Sequence, residues 1–396
     1  MSEPAPLQAR WQAELDALAQ AHLVRRLRVL DSPQGPEVRI GDRTLANFSS
    51  NDYLGLATHP ALAEATARAA ADYGSGSGAS RLVSGTLRPH AELEARLAEF
   101  KRTEAALTFA CGYSTALGTL PALAGRGDVV ILDKLAHACL VDGARLSGAT
   151  LRVFPHNDLA RLESHLRWAR EHHPDAAVVV ATESVFSMDG DRAPLTEIVA
   201  LTQRWGAALL LDEAHATGVI GPAGRGLAVE LGLADAVSIQ MGTLGKAAGA
   251  AGGYVCGSRT LIDLLLHRAR SFLFSTAPPP AQAAAAAAGL ALLASDEGDL
   301  RRERLRAHAR EVHAAIGAVG EPAAAIHPWI LGAESDALEA AAGLDAAGIL
   351  APAIRFPTVP RGTARIRFTV TAAHTPKAVA GLTTTLRALR GRLPSR

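Results

Sequence analysis

The sequence predicts an α/β protein in which a mostly parallel sheet lies between helices and a smaller α/β unit follows. Three observations lead to this fold. Apolar strands and helical segments alternate between about residues 60 and 275, each strand is apolar at every position, and the composition changes after residue 280. Strands of this kind are typical of a parallel sheet that helices cover on both faces. A chain of 396 residues is long enough for two packed domains.

The N-terminal segment is predicted to form one helix and a pair of strands. Residues 7–30 alternate polar and apolar positions at helical spacing and end in a basic cluster. Residues 38–50, VRIGDRTLANFSS, are typical of two short strands joined by a Gly-Asp turn. We expect residues 1–58 to form this N-terminal unit.

Four strands of the central region are clear from their apolar runs. They are DVVILD (128–133), AAVVVATES (176–184), AALLLDEA (207–214) and AVSIQM (236–241). Segments between them have the length of the helices that connect parallel strands. We expect residues 59–280 to form the large domain.

The composition changes after FSTAPPP (274–280), where an alanine-rich helix is expected to lead into a charged helix at 301–316. The tail has the pattern of a strand, a helix, a strand and a helix, at 327–332, 338–348, 364–372 and 377–390. We therefore expect residues 281–396 to form a smaller C-terminal α/β domain.

Composition excludes several classes of protein. The net charge of +1, from 40 basic and 39 acidic residues, gives no basic surplus for nucleic acid or anionic lipid. The longest apolar run, 281–294, is too short and too rich in alanine to cross a membrane. Cys111, Cys139 and Cys256 form no C-x-x-C pair, which argues against a disulfide framework. The N-terminus has no apolar signal core, so we expect a cytoplasmic protein.

Reactive side chains follow four of the predicted strands. Because ligands of open parallel sheets bind beyond the carboxyl ends of the strands, these side chains are expected to converge. They comprise one acid, two imidazoles, a hydroxyl and one lysine: Asp212, His215, His137, Ser187 and Lys246.

Lys246 is the strongest candidate for a nucleophile. It lies among small residues in QMGTLGKAAGAAGGYVCG, where Gly242 and Gly245 would let the backbone approach a ligand. An apolar pocket lowers the pKa of an amine, and a neutral amine can attack an aldehyde and form an imine. Taken alone, a lysine in such a segment is more often an ordinary loop residue.

Asp212 ends an apolar strand, where a carboxylate is costly unless it meets a cation. One interpretation is that it keeps a pyridine nitrogen protonated, so that the ring accepts electrons, while His215 reaches the ring hydroxyl. The alternative is a helix N-cap and a structural histidine. Gly112 and its neighbours Cys111 and Tyr113 precede a helix, where backbone N–H groups favour a phosphate, although a tight turn explains them equally well.

Other catalytic motifs are absent from the sequence. A Walker loop fails because positions 240 and 247 hold glutamine and alanine, and the glycines at 74–78 do not fit the dinucleotide pattern. No H-E-x-x-H and no G-x-S-x-G is found, which removes zincins and the usual hydrolase elbow.

Seven segments carry a resemblance that spans nearly the whole chain. They are NFSSNDYLGL (47–56), GSGSGASRLVSG (74–85), ESVFSMDGD (183–191), LDEAHATGVIG (211–221), GTLGKAAGAAGGY (242–254), FSTAPPP (274–280) and IRFPTVPRGTARIRFTVTAAH (354–374). In this order they resemble the α-oxoamine synthases, which are fold-type I pyridoxal-phosphate transferases. The resemblance implies a seven-stranded, mostly parallel sheet and pyridoxal 5'-phosphate as the cofactor.

The resemblance also implies a role for each candidate residue. Lys246 would hold the cofactor as a Schiff base and then act as general base, with Asp212 on the pyridine nitrogen, His215 on the ring hydroxyl and His137 stacked on the ring. The remaining cofactor contacts would be Cys111, Gly112, Tyr113, Ser187 and Thr243. Substrate contacts would be Arg25 (or Arg26), Asn51, Glu183, Arg355 and Thr276, with Ser275 and Thr276 reaching in from a second subunit of a homodimer.

The implied reaction is a decarboxylative condensation of L-alanine with a pimeloyl thioester, carried by coenzyme A or acyl carrier protein, in biotin biosynthesis. SSNDYLGL and the tail favour this branch of the family. One departure is Phe356, which stands before Pro357 where a Pro-Pro pair is expected and resembles other branches. The alternatives are condensation of glycine with acetyl-CoA, another pair of amino acid and acyl-CoA, or a non-catalytic protein on the same fold.

Overall fold

A seven-stranded sheet lies at the centre of the chain. The computed structural model describes residues 6–21 and 23–393. Its strands are β1 Glu37–Ile40, β2 Arg43–Asn47, β3 Ala105–Phe109, β4 Val129–Asp133, β5 Thr150–Phe154, β6 Val178–Glu183, β7 Ala208–Asp212, β8 Ile239–Thr243, β9 Gly253–Gly257, β10 Ile326–Gly332, β11 Ile349–Leu350, β12 Ala353–Ile354 and β13 Ala364–Thr369.

Helices surround this sheet and complete the smaller C-terminal part. They are α1 Leu7–Gln20, α2 Pro60–Tyr73, α3 Arg88–Lys101, α4 Gly112–Leu123, α5 Ala138–Ser147, α6 Leu159–His172, α7 Leu195–Arg204, α8 Leu227–Glu230, α9 Arg259–Arg268, α10 Arg270–Leu273, α11 Pro280–Leu293, α12 Asp296–Ala315, α13 Glu334–Ala346 and α14 Pro376–Arg390. In the described part of the chain no helix combines the length and the apolar character that a bilayer crossing requires.

The strand order of the central sheet is β3-β9-β8-β7-β6-β4-β5. All neighbouring pairs are parallel except those of β9, which is antiparallel to both β3 and β8. The predicted seven-stranded, mostly parallel sheet between helices is therefore confirmed. Strand β9 follows the glycine-rich stretch after Lys246 and was not among the predicted strands.

Both faces of the sheet are buried, which explains the continuous apolar runs. Along β4, Val129 and Ile131 belong to one hydrophobic cluster, whereas Val130 and Leu132 belong to the cluster on the other face. Helices α3, α6 and α7 lie on the first side, and α4, α5 and α9 on the second. The alanine-rich helix α11 packs on α2 and α3.

The first helix differs from its prediction. It was expected over 7–30 but ends at Gln20, and none of its residues is buried. The following segment is instead held by tertiary contacts, since Arg28 bonds Asp345 at 2.7 Å and Leu30 packs on the strand pair β1–β2. No other described segment buries the apolar side of this helix, so these tertiary contacts decide the conformation after residue 20.

The N-terminal hairpin shares a sheet with the C-terminal part. Strand β2 pairs antiparallel with β1 and parallel with β11, which joins residues 37–47 to residues 349–350. The other small sheet has the order β10-β13-β12. The division into segments 1–58, 59–280 and 281–396 stays a prediction.

Candidate active site

A cavity of about 180 Å³ opens at the carboxyl ends of the parallel strands. Its position agrees with the general rule for open α/β sheets. The residues that line it are Gly112, Tyr113, His137, Cys139, Glu183, Asp212, Ala214, His215, Met241, Gly242, Thr243 and Lys246.

Lys246 directs its amine into this cavity. Its Nζ lies 2.7 Å from Nε2 of His215. Burial lowers the pKa of the amine to about 8, although the negative charge of Asp212 opposes this shift. A lysine with this pKa is partly neutral near physiological pH and is therefore suited to nucleophilic and base chemistry.

Asp212 lies at the end of β7 and is 5% exposed. Its Oδ1 accepts a hydrogen bond from the N–H of Ala214 at 2.9 Å. A turn and not a helix follows it, so the helix N-cap interpretation is wrong. Burial raises the pKa of Asp212, and the nearby Lys246 opposes that rise.

The side chain of the neighbouring Glu213 is buried in the protein core. It forms a fully buried ion pair with Lys101, whose Nζ also donates to the carbonyl of Arg225 at 2.5 Å. The other carboxylate oxygen accepts the N–H of Ala228 at 3.1 Å. This pair anchors the chain at the point where Asp212 leaves the sheet.

Glu183 faces Asp212 from the adjacent strand, because the two residues are partners in the parallel register of β6 and β7. Its Oε2 accepts the N–H of Ser187 at 3.1 Å, while its Oε1 is buried without a hydrogen-bond partner among the described residues. Burial, and then the charge of Asp212, raise the pKa of Glu183 well above its usual value.

The two histidines are both held in fixed orientations. His215 contacts the hydroxyl of Tyr53 through Nδ1 at 2.6 Å, and burial lowers its pKa well below the usual value. His137 caps helix α5, where its Nδ1 accepts the N–H of Cys139 at 3.3 Å. Burial also lowers the pKa of His137, so a neutral ring carries its proton on Nε2.

Helix α4 begins at one end of the cavity. Gly112 is its first residue, and Cys111 is its N-cap, whose sulfur accepts the N–H of Ser114 at 3.4 Å. A side chain at Gly112 would contact Thr243, which donates to the carbonyl of Gly252 at 2.9 Å. The free N–H groups of this helix make this end of the cavity suitable for an anion.

Arg367 was not recognised from the sequence. It lies on β13, is 8% exposed, and donates from Nη1 and Nη2 to Oδ1 of Asn51 at 3.2 and 3.3 Å. Its Nε donates to the carbonyl of Ser187 at 2.5 Å. The alternation of Arg365 and Arg367 with apolar residues along one strand was the available signal, since two buried arginines on one face require acceptors opposite.

Other predicted residues lie outside the cavity lining. Arg355 lines a separate groove of about 780 Å³ and donates to the carbonyl of Val24 at 3.4 Å. Arg25 and Arg26 are exposed, as are Ser275 and Thr276, where Thr276 forms a β-bridge with Ser80. Their predicted roles as substrate contacts stay predictions.

Gly242 was expected to let the backbone approach a ligand, and the structure shows a packing reason for this glycine. A Cβ atom at this position would collide with the ring and hydroxyl of Tyr254, which is fully buried. The neighbouring strand therefore requires a glycine here, and the approach of a ligand to this position stays a prediction. At Gly245 the same construction meets nothing closer than 3.6 Å.

Comparison with known proteins gives consistent results. The family model for aminotransferase class I and II matches residues 43–386. The 8-amino-7-oxononanoate synthase of Anaeromyxobacter dehalogenans is 48% identical over 96% of both chains. The enzyme of the same name from Maricaulis maris is 48% identical over 95% of this chain and 94% of its own.

Solved structures extend the comparison to the fold. The serine palmitoyltransferase of Sphingomonas wittichii is 32% identical, with a TM-score of 0.90 over 98% of this chain and 100% of its own. A serine palmitoyltransferase structure with bound pyridoxal phosphate is 30% identical, with a TM-score of 0.90 over 97% and 98% of the two chains. The 8-amino-7-oxononanoate synthase of Francisella tularensis is 25% identical, with a TM-score of 0.73 over 88% and 98%.

Proposed function

The chain belongs to the class I and II aminotransferase family and, within it, to the α-oxoamine synthases, and from this premise we propose that it is an 8-amino-7-oxononanoate synthase. It condenses L-alanine with a pimeloyl thioester and releases carbon dioxide and the free thiol. The observation that carries this proposal is the 48% identity to synthases of this name over nearly the full length of both chains.

The residues of the cavity fit pyridoxal 5'-phosphate. The N-terminus of α4 at Gly112 suits the phosphate, Lys246 suits the aldehyde, and the ionised Asp212 suits a protonated pyridine nitrogen. Gly112, Tyr113 and Thr243 would hold the phosphate, and His137, Ser187 and His215 would surround the ring. The cofactor supplies a reactive aldehyde and a ring that takes up the electron pair of a carbanion.

The side chains around that ring move and hold protons. Lys246, with an amine pKa of about 8, removes the proton from Cα of alanine. Asp212 keeps its negative charge beside the ring nitrogen, and His215 meets the ring oxygen. His137 presents its Nε2–H to the oxygen that becomes negative when the thioester is attacked, a contact worth about 3 kcal/mol in comparable sites.

We propose that an arginine side chain binds the carboxylate of the amino-acid substrate. Arg367 is a buried cation beside Asn51 and close enough to Lys246 for its charge to lower the pKa of that amine. A planar guanidinium binds a carboxylate with two parallel hydrogen bonds. Arg355 is the second candidate for this role, and Arg25 or Arg26 would contact the acyl substrate.

A screen of amino acids against acyl thioesters tests the function. L-Alanine with a pimeloyl thioester is expected to give the nine-carbon amino ketone acid and carbon dioxide, detected by mass spectrometry. Lys246→Ala is expected to lose both the product and the borohydride-stable adduct with the cofactor. Product from glycine and acetyl-CoA alone would reject the proposal in favour of the alternative branch.

That alternative has one observation in its favour, which is the bulky Phe356 in the tail. Its ring packs under the guanidinium of Arg361, 4.2 Å from the ring centre. Replacing Phe356 with proline tests the point. If this residue sets the amino-acid preference, the ratio of kcat/KM for alanine over glycine will change in Phe356→Pro, and an unchanged ratio removes the argument.

A homodimer with shared sites is part of the proposal. Ser275 and Thr276 are exposed and follow Phe274 in the chain, whose large apolar side chain is 72% exposed. Such apolar surface is typical of a protein interface. Light scattering is expected to give twice the chain mass of 41.1 kDa, and a monomer with full activity would contradict the shared site.

A further inference from the structure

Tyr53 connects two parts of the site through its hydroxyl group. This side chain is fully buried, and its oxygen lies 2.6 Å from Nδ1 of His215. Nε2 of the same ring lies 2.7 Å from Nζ of Lys246. On the other side, the hydroxyl lies 3.1 Å from Oδ1 of Asn51 and 3.5 Å from Nη2 of Arg367. A chain of contacts thus leads from a guanidinium to the reactive amine.

The direction of the hydroxyl proton follows from these contacts. Arg367 can only donate, so the oxygen of Tyr53 accepts on that side. Oδ1 of Asn51 already accepts two N–H groups of Arg367 at 3.2 and 3.3 Å. The separation of 2.6 Å to His215 is typical of an O–H donor and is shorter than N–H donors usually reach. The hydroxyl proton of Tyr53 therefore goes to the nearer acceptor, Nδ1 of His215 at 2.6 Å, and not to Oδ1 of Asn51 at 3.1 Å.

His215 is neutral in this environment. Burial lowers its pKa well below the usual value, and the charges of Lys246 and Arg367 act in the same direction. A neutral imidazole carries one proton, which resides on the nitrogen that does not accept. With Nδ1 occupied as an acceptor, Nε2 holds the proton and donates it to Nζ of Lys246, 2.7 Å away, when that amine, with a pKa of about 8, is neutral.

We propose that Tyr53 is a positioning residue that keeps the ring proton of His215 on Nε2 and so makes this histidine a hydrogen-bond donor toward the cofactor's ring oxygen. The last part rests on the proposed function. The orientation of His215 itself does not, because the contacts that fix it lie within the chain.

A purely structural role for Tyr53 predicts a different result. If its ring only fills the core, phenylalanine will replace it without effect on His215. Tyr254 provides the matched control, because it is equally buried and its hydroxyl bonds Oγ1 of Thr217 at 2.7 Å and no histidine. Tyr53→Phe and Tyr254→Phe each remove one buried hydroxyl, and only the first touches His215.

The first experiment uses the chain without cofactor. The ¹⁵N resonances of His215, assigned through His215→Asn, are measured by magic-angle-spinning NMR at about pH 9.5, where the Lys246 amine, with a pKa of about 8, is neutral. We expect a protonated Nε2 and a hydrogen-bonded, unprotonated Nδ1 in the natural protein. Tyr53→Phe is expected to shift Nδ1 to the value of a free acceptor, and Tyr254→Phe to leave it unchanged. A protonated Nδ1 in the natural protein overturns the proposal.

The second experiment adds pyridoxal phosphate and follows its absorbance. Tyr53→Phe is expected to bind the cofactor roughly tenfold more weakly than Tyr254→Phe and to shift the pH dependence of the absorbance, because an oriented donor to a charged oxygen is lost. Equal binding and equal pH dependence in the two variants contradict the positioning role. If the natural protein binds the cofactor but makes no product from alanine, the proposed function fails while the assignment of Tyr53 stands.

Discussion

Two carboxyl groups share the wall of the cavity with one amine. Glu183 and Asp212 are partners in the register of neighbouring strands, and both are nearly inaccessible to solvent. Burial and the repulsion between two neighbouring negative charges both disfavour ionisation of the two carboxyl groups together. Lys246 opposes the rise of both pKa values, but the charge of Asp212 adds to the effect of burial on Glu183 and holds the pKa of Glu183 well above its usual value, so Asp212 is the group that carries the charge.

The first prediction concerns the protonation of Glu183. A neutral glutamic acid is matched in shape and charge by glutamine, so Glu183→Gln is expected to leave the pKa of the Lys246 amine unchanged. Asp212→Asn is expected to lower that pKa, because the charge of Asp212 raises it. The measurement is the pH dependence of acylation of Lys246 in the cofactor-free chain. A fall in the Gln variant as large as in the Asn variant shows that Glu183 is ionised.

The second prediction concerns the fork of Arg367. Arg367→Lys keeps the charge but loses the paired geometry, so the KM for alanine is expected to rise roughly 10–100-fold, the equivalent of one hydrogen bond to a charged group. Arg365→Lys is the control, because Arg365 lies on the same strand face and pairs with Asp189 instead. Equal KM values in the two variants would show that Arg367 does not bind the substrate.

At this scale the sequence predicted the residues that follow strands. Lys246, Asp212, His215 and His137 lie where the strand-end rule places them, and nine of the cavity residues had been named. Arg367 and Tyr53 were not predicted because they approach the cavity from β13 and from the turn after β2. Only the packing of the folded chain brings these two segments together. No local pattern around Tyr53 reports a partner 162 residues away.

Among the elements, the ends of β4 and β5 are joined by one histidine. His156 follows β5 and bonds Asp133, the last residue of β4, at 3.1 Å and Asp191 at 2.7 Å. Burial alone would lower the pKa of His156, but these two hydrogen bonds outweigh it and raise the pKa to about 10. The imidazolium therefore ties the strand end to the segment that carries Ser187.

This ion pair predicts a pH dependence of stability. Because the folded pKa exceeds the unfolded value, the stabilisation is fully present below about pH 6.5 and is lost as the pH rises through about 10. His156→Gln is expected to destabilise the protein most below about pH 6.5 and progressively less as the pH rises toward about 10. Urea unfolding of both proteins across this range measures the difference. A difference that grows with pH contradicts the assignment.

The strands and helices also show what the sequence pattern predicted and what it did not. The buried strands β4, β6 and β7 were predicted within two residues at each end, because burial on both faces leaves a run that polar residues interrupt. Strand β9 was missed, since its glycines at 253 and 257 weaken the apolar signal and its direction depends on its neighbours. Helix α1 was extended too far because tertiary contacts take over after residue 20.

For the whole molecule, buried histidines set the limit on the acid side. His327 on β10 is fully buried, and both its ring nitrogens lack hydrogen-bond partners among the described residues. Burial lowers its pKa to about 3. His374 is also buried, with a pKa lowered to about 4, and bonds the carbonyl of Asn47 at 3.0 Å. The ring of His374 therefore links the C-terminal part to β2 in its neutral form.

The fourth prediction follows from these depressed values. The folded state binds fewer protons than the unfolded state below about pH 6.5, so stability is expected to fall as the pH drops toward about 3. His327→Leu removes a group that must charge and is expected to flatten this fall. The exposed His267→Gln serves as control. Equal slopes of unfolding free energy against pH in the two variants would show that His327 does not contribute.

The pair of Lys101 and Glu213 has a consequence for how this chain can vary. Loss of one partner would strand the other charge in the core, at a cost of about 3–5 kcal/mol, which is a large share of the margin that holds a typical domain together. Replacement of both by apolar residues avoids that penalty. We therefore expect related sequences to change positions 101 and 213 together. Lys101, which is far along the chain from Lys246, thereby limits which residue can follow Asp212.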